Sequence, residues 1–346
     1  MSELNLTHSN GNKVKLTTPD TLAANKTFKL PGADGSSGQF LKTDGSGALS
    51  FTSQLTGNRN LFLNGAVNIS QRGDSYASAY SYKADQWYIF PTGSTTTRLT
   101  TSPPDGFTYY FRCPSATASI LFTQQIELEA QGKVGRYKGK TVTVSWYARS
   151  ESSNTMYVDA AFKNNSGGGD YTSIVSGSGS PQSLTSSWAR YSQTFTISAT
   201  PHANNKCFSV MIRTPSGQGG TVEATGFQCE FGDTMTDFEY ISIAEELARC
   251  QRYCQKASVY VASGSAGNNN IYGFTVNFMT EMRAAPALHS SSSIDGTGNF
   301  SSRRGGSEST GNPNIRNSNT NSVTVGHTDG GMADWLYGQV LMQAEI

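Results

Sequence analysis

A two-residue alternation of apolar and polar side chains, renewed again and again through the middle of the chain, constrains this sequence most. Lys140–Arg149 reads KTVTVSWYAR, which puts Val142, Val144, Trp146 and Ala148 on one face and Thr141, Thr143, Ser145, Tyr147 and Arg149 on the other. Met156, Val158, Ala160 and Phe162 repeat the pattern against Tyr157 and Asp159, and Phe208, Val210 and Ile212 point together within the next such run. Phe227, Cys229 and Phe231 form one more apolar side. Loops rich in Asn, Gly and Ser, such as 164–169 and 176–180, separate these runs, and no helical period intervenes. Many evenly spaced antiparallel strands of this kind predict a mainly β protein built on an antiparallel two-sheet sandwich of the jelly-roll type.

The alternation is regular over 57–242 and different on either side. Residues 1–56 are short β-like pieces broken by Pro, Gly and Asp-Gly turns, an extended β segment whose apolar residues are too few for a core of its own. Such pieces need partner surface, from identical chains or from a larger assembly. Residues 243–346 begin with a helix-like stretch. They continue with a strand near 271–278, a polar stretch over 290–331, and a final alternating run with Leu336, Val340, Met342, Ala344 and Ile346 in one row. A linking helix followed by a small β-rich C-terminal domain is expected there.

The helix-like stretch, EELARCQRYCQKA over 245–257, carries two cysteines. Ser242 and Glu245 have the spacing of a capping box, so a helix is expected from Ile243, and Glu245 precedes Arg249 by one turn. Ile243, Leu247, Cys250 and Cys254 then form one apolar stripe, expected to seat the helix on its own sandwich or on the same helix of neighbouring subunits. No His or Cys follows at a spacing that would complete a metal site, and a disulfide within one helix turn is geometrically poor. The pair reads as packing, with no metal and no cofactor expected.

Charge excludes other classes. Lys plus Arg number 26 and Asp plus Glu 25, a formal net charge of +1, so no strong field draws the chain to nucleic acid or to acidic lipid. The N-terminus lacks the basic and apolar regions of a signal peptide, and no apolar run is long enough for membrane insertion, so folding in a cytosol is expected. His8, His202, His289 and His327 lie in loop-like or terminal contexts without catalytic or metal spacing. Glu127 and Glu129 would share one face of a strand, as a glycoside-hydrolysing pair does, but Glu127 is more simply a partner for a sandwich residue such as Arg149. The glycine cluster at 217–220 opens no helix and lacks the Lys-Ser/Thr of a phosphate loop. No catalytic residue is assigned, and the protein is not expected to be an enzyme.

Several stretches, in order, resemble the tail-fibre and receptor-binding proteins of tailed bacteriophages. LPGADGSSGQFLKTDGSG, from Leu30 through Phe40 and Leu41, looks like the short β-repeat that opens many phage fibres. NLFLNGA with the following QRG, then ADQW, QQIE, SWYARS, WARY and GFQCEFG, are similar to the carbohydrate-binding-module-like sandwich of those proteins. EELARCQRY, MRAAP and the terminal AEI look like the segments that follow it. The resemblance implies a homotrimeric virion structural protein, assembled in the host cytoplasm and placed on the tail. Residues 1–56, with Leu30, Phe40 and Leu41, would attach to a tail adaptor, nozzle or baseplate protein, while distal parts meet host surface polysaccharide during adsorption. A head fibre or decoration protein with the same module, and a glycan-degrading tailspike, are the alternatives.

Glycan recognition needs aromatic rings for the apolar faces of sugars beside groups that bond to hydroxyls. Tyr76, Tyr80, Tyr82, Tyr109 and Tyr110 lie in Ser/Thr/Gly-rich contexts that suit this, and a sandwich core or a trimer interface suits each of them equally. Arg303, Arg304 and Arg316 in the polar stretch would meet an acidic polysaccharide, or else belong to solvated loops at a fibre tip.

Overall fold

The computed structural model describes residues 3–17, 21, 23–35, 39–43, 46–53, 59–76, 81–90, 95–115, 119–128, 137–152, 154–164, 172–177, 180–201, 205–262, 271–288, 300–304, 307–311, 314–328 and 335–344. The chain forms two compact units, Met1–Gly57 and Asn58–Ile346. The first consists of two antiparallel hairpins, Glu3–Thr7 with Lys13–Thr17 and Gln39–Thr43 with Leu49–Ser53, and one parallel bridge between Lys29 and Ala48. None of its described side chains is buried. Leu30 is 76% exposed and Phe28 66%, while Phe40 and Leu41 are both 52% exposed.

The second unit holds the sandwich. One sheet runs in the order Ala189–Thr196, Thr141–Ser150, Gly220–Phe231, Tyr110–Ser115, Thr96–Leu99, Ser75–Tyr76. The other runs Thr172–Ser176, Thr155–Lys163, Cys207–Arg213, Leu121–Glu127, Tyr88–Phe90, Ser81–Tyr82, with Gln182–Ser183 paired beside Thr155–Lys163. All these pairings are antiparallel. The apolar rows read from the sequence meet between the sheets: Val142, Val144, Trp146, Ala148, Met156, Val158, Ala160, Phe162, Phe208, Val210, Ile212, Phe227 and Cys229 are all fully buried in one core, with Phe231 packed at its edge. A two-residue period places every second side chain inward, so the burial follows from the pattern once the strands pair.

Two of the stretches that resemble phage fibres, NLFLNGA and ADQW, wire this sandwich. Asn64 adopts a left-handed φ of 54°, which asparagine tolerates better than other non-glycine residues. Its side-chain amide donates to the carbonyls of Ile69 (2.8 Å) and Asp85 (2.9 Å) and its oxygen accepts from the Ile69 N–H (2.9 Å). The Trp87 indole N–H donates to the Asn64 carbonyl at 2.8 Å, and the Trp87 ring lies between Phe62 and Phe227. Gly65 is required beside it, because a methyl group there would collide with the Phe227 carbonyl oxygen.

The helix spans Ile243–Gln251, capped by Ser242, whose hydroxyl accepts from the Glu245 N–H. Glu245 pairs with Arg249 at 2.5 Å. The expected apolar stripe is corrected at Cys254, and Ile243 does not pack on this chain's own sandwich. Ile243 is 65% exposed and Cys254 is not helical at all; Arg252 and Tyr253 turn the chain and Cys254 opens the strand Cys254–Ala262. Cys250 is fully buried and Leu247 half-buried, but the side chain that docks the helix is Glu246, which accepts from the Asn64 N–H at 2.6 Å. The strand that follows is tied back through Gln71, whose amide donates to the Cys254 carbonyl (2.6 Å) and accepts from the Lys256 N–H (3.1 Å).

Beyond the helix, one sheet runs Cys254–Ala262, Trp335–Gln343, Phe300–Arg304, Ser307–Gly311, with Ala287–Leu288 also on Trp335–Gln343. A smaller sheet runs Ile271–Asn277, Ser322–Thr328, Asn314–Ser318. The polar stretch therefore contains strands where solvated loops were one expectation: alternating Ser, Thr and Asn are compatible with backbone pairing even without apolar anchors. No helix among the described residues is long and apolar enough to cross a membrane.

Candidate functional site

With Phe122, Ile126, Val158, Ala160, Phe162, Phe208, Val210 and Ile212 turned into the core, the alternate residues of three adjacent strands must face outward. The strand register aligns them in transverse rows: Tyr88, Thr123, Met211 and Asp159 in one, Gln125, Ser209 and Ala161 in the next, and Leu121, Arg213 and Tyr157 in a third. Although they point away from the core, Ser209 and Ala161 are 0% exposed and Thr123 only 4%.

Polar groups in this face lack partners. The hydroxyls of Thr123 and Ser209, the amide oxygen of Gln125 and the Nε of Arg213 are buried and, among the described residues, unbonded. A buried polar group without a partner costs about 1–3 kcal/mol; Thr123 and Ser209 are closed to solvent and so to a ligand, whereas Gln125 and Arg213 on the same face remain partly exposed. Arg213 is aimed by Asp159 (3.5 Å) and by the Ser119 hydroxyl (3.2 Å), and its guanidinium lies 5.6 Å over the Tyr157 ring. At the other edge Tyr82 and Tyr88 pack edge to face, 5.1 Å apart. An amide, an oriented guanidinium and flanking aromatic rings together suit a ligand with many hydroxyl groups.

One end of the face is occupied by protein. Glu127 accepts from the Tyr253 hydroxyl (3.1 Å) and faces Arg252 (3.4 Å) and Arg283 (3.6 Å). Its expected pairing with Arg149 is thus corrected: Arg149 lies on the other sheet, bound to Glu223 at 2.5 Å. Glu129 lies outside the described residues.

The sequence-derived candidates are dispersed. Tyr76 is 5% exposed, bonded to the Ser70 hydroxyl, and Tyr110 is 2% exposed with its hydroxyl on the Thr101 carbonyl, so neither ring is available for stacking on a sugar. Tyr109 is half-buried with the Arg98 guanidinium 3.8 Å above its ring. Tyr82 alone among the described tyrosine candidates stands beside the outward face just described, and Tyr80 lies outside the described residues. Arg303 and Arg304 fall in the strand Phe300–Arg304, and Arg316 in Asn314–Ser318 at a register shift. Sequence reasoning missed Thr123, Gln125, Ser209 and Arg213. Their outward positions were readable from the alternation, but not their burial.

All five cysteines are buried thiols outside any disulfide. Burial pushes the Cys207 thiol up to about 11 and Cys113 to about 12, and raises Cys229 as well, which keeps these three as thiols. No cluster of three or more His, Cys, Asp or Glu that could hold a metal occurs among the described residues.

Residues 124–217, which include most of this face, match the family model of a carbohydrate binding domain, CBM_4_9. That match supports a carbohydrate-binding domain of the CBM4/9-like type within the sandwich. Among solved structures, the chain is similar to a putative sugar binding protein from Bacteroides thetaiotaomicron, at 11% identity and a TM-score of 0.36 over 50% of this chain and 100% of that one. It is also similar to the CBM22-1 xylan-binding domain of Paenibacillus barcinonensis, at 9% identity and a TM-score of 0.33 over 51% and 96%. A third likeness is to the enzymatically active domain of bacteriophage CBA120 tailspike protein 4, at 14% identity and a TM-score of 0.33 over 53% of this chain and 23% of that one. No curated protein matches the chain.

Proposed function

We propose that this chain is a non-enzymatic glycan-binding fibre of a tailed bacteriophage, carried on the virion and recognising host surface polysaccharide through the outward face of the Leu121–Glu127, Cys207–Arg213 and Thr155–Lys163 strands. The match of residues 124–217 to a carbohydrate binding domain carries the glycan part, and it falls on the strands that carry Gln125 and Arg213. The phage part is supported by the ordered stretches from LPGADG to AEI that resemble phage fibres. The N-terminal unit fits an assembled state: Phe28, Leu30, Phe40, Leu41 and Phe51 are exposed, as expected of segments that pack against other copies and an adaptor protein. The expected assembly is a homotrimer anchored through residues 1–56.

Incubation of the purified chain with host surface polysaccharide tests the central part. Retention of the protein on the polysaccharide, with its chain length unchanged, is the expected result. Shortened polysaccharide would overturn the non-enzymatic reading, and no retention would overturn glycan binding. A map of the particle with the chain on the head instead of the tail would correct its placement.

A further inference from the structure

The opposite sheet carries a second constellation. Its register sets Arg112, Glu223 and Arg149 side by side on three neighbouring strands, pointing outward. Glu223 takes the Nε of Arg149 at 2.5 Å and faces the Nε of Arg112 at 3.5 Å, so one carboxylate holds both guanidinium groups in place. Arg149 also lies 4.8 Å over the Trp188 ring, whose own N–H is fixed on the Ser102 carbonyl at 2.9 Å. Arg112, Arg149 and Glu223 line a pocket of about 170 Å³ together with Glu151, Ser186 and Thr221, and Trp188 stands beside Arg149 outside that lining. The Arg112 side chain is 53% exposed.

We propose that this pocket is a second sugar site, specific for a single sugar residue bearing a carboxylate, of the uronic-acid type. The sugar part of that ligand rests on the glycan-binding reading above. The pocket is well below the roughly 300–1,000 Å³ of sites for larger ligands, which limits it to one ring. A guanidinium whose Nε side is already held presents its terminal nitrogens as a fork, which matches a carboxylate. Glu223 offsets one of the two guanidinium charges, so a singly charged carboxylate with neighbouring hydroxyls is matched better than a doubly charged phosphate.

Titration of the full chain with glucuronate, glucose and acetate, followed by the fluorescence of Trp188, tests this; the W188F variant identifies the signal. Glucuronate is expected to give a saturable, salt-sensitive response at least about tenfold stronger than glucose or acetate. R112Q should weaken it about tenfold and abolish the preference over glucose, and R112K should restore part of the response because charge returns without the fork. Equal responses to glucose and glucuronate, a matching response to acetate, or no effect of R112Q would overturn the proposal. The double variant Q125A/R213Q should leave the glucuronate response intact. If it also leaves polysaccharide retention unchanged, the reading of the opposite face fails while this pocket stands.

Discussion

Replacing Ser209 by alanine or Thr123 by valine removes a buried hydroxyl that has no partner among the described residues, while keeping most of the side-chain volume. Each change should raise stability by about 1 kcal/mol, because the group is desolvated in the folded state without a compensating bond. Chemical denaturation midpoints check this, and a loss of stability would mean that the hydroxyls are bonded within the fold. Asn64 predicts the opposite. N64A would leave the Asp85 carbonyl and the Ile69 N–H without the Asn64 side chain and take one of two bonds from the Ile69 carbonyl, and should cost about 2–4 kcal/mol. At this scale the sequence was only partly informative. Tyr76 and Tyr110 sit in the same Ser/Thr-rich company as surface tyrosines, and nothing local distinguishes a ring closed into the core from one open to a sugar. Likewise Thr123 and Ser209 read as ordinary outward residues, because their burial depends on strands far away in sequence.

Among elements, the strands of the sandwich were legible because a period of two maps directly onto burial, as in Thr141–Ser150 and Thr155–Lys163. The start of the helix was legible through Ser242 and Glu245 for a similarly local reason. Its end was not: Cys250 and Cys254 are four residues apart, a spacing that fits one helix face, yet the chain turns at Arg252 and Tyr253 and Cys254 pairs with Gln343 in a sheet. The docking of the helix through a buried carboxylate, Glu246, also has no local signal. Burial raises the Glu246 pKa above its ordinary value, against the bond from Asn64 and the charge of Arg249, and burial raises Asp85 too. A carboxyl with a raised folded-state pKa contributes most below its unfolded value, near 4.5 for Glu246, and that contribution is lost as pH rises through the folded value. Denaturation midpoints should therefore show E246Q gaining relative to the parent chain on going from pH 4.5 to pH 7. An unchanged difference between the two would mean that Glu246 is not desolvated.

For the whole molecule, the N-terminal unit exposes Phe28, Leu30, Phe40 and Leu41 and buries none of its described side chains, which predicts self-association. Light scattering of the full chain should return three times the 37.1 kDa chain mass, and substitution of Leu30, Phe40 and Leu41 by serine should shift it toward the monomer. A clean monomer for the parent chain would refute the homotrimer. The sandwich class and the extended N-terminal segment were readable from pattern and composition, whereas the candidate face emerged only once the strands were assembled. The central claim is that the outward face carrying Gln125 and Arg213 binds polysaccharide. The most direct measurement is calorimetric titration of host surface polysaccharide into the parent chain and into Q125A/R213Q. The parent is predicted to bind, and the folded double variant to bind at least about tenfold more weakly. Equal affinity in the two would contradict the assignment of this face.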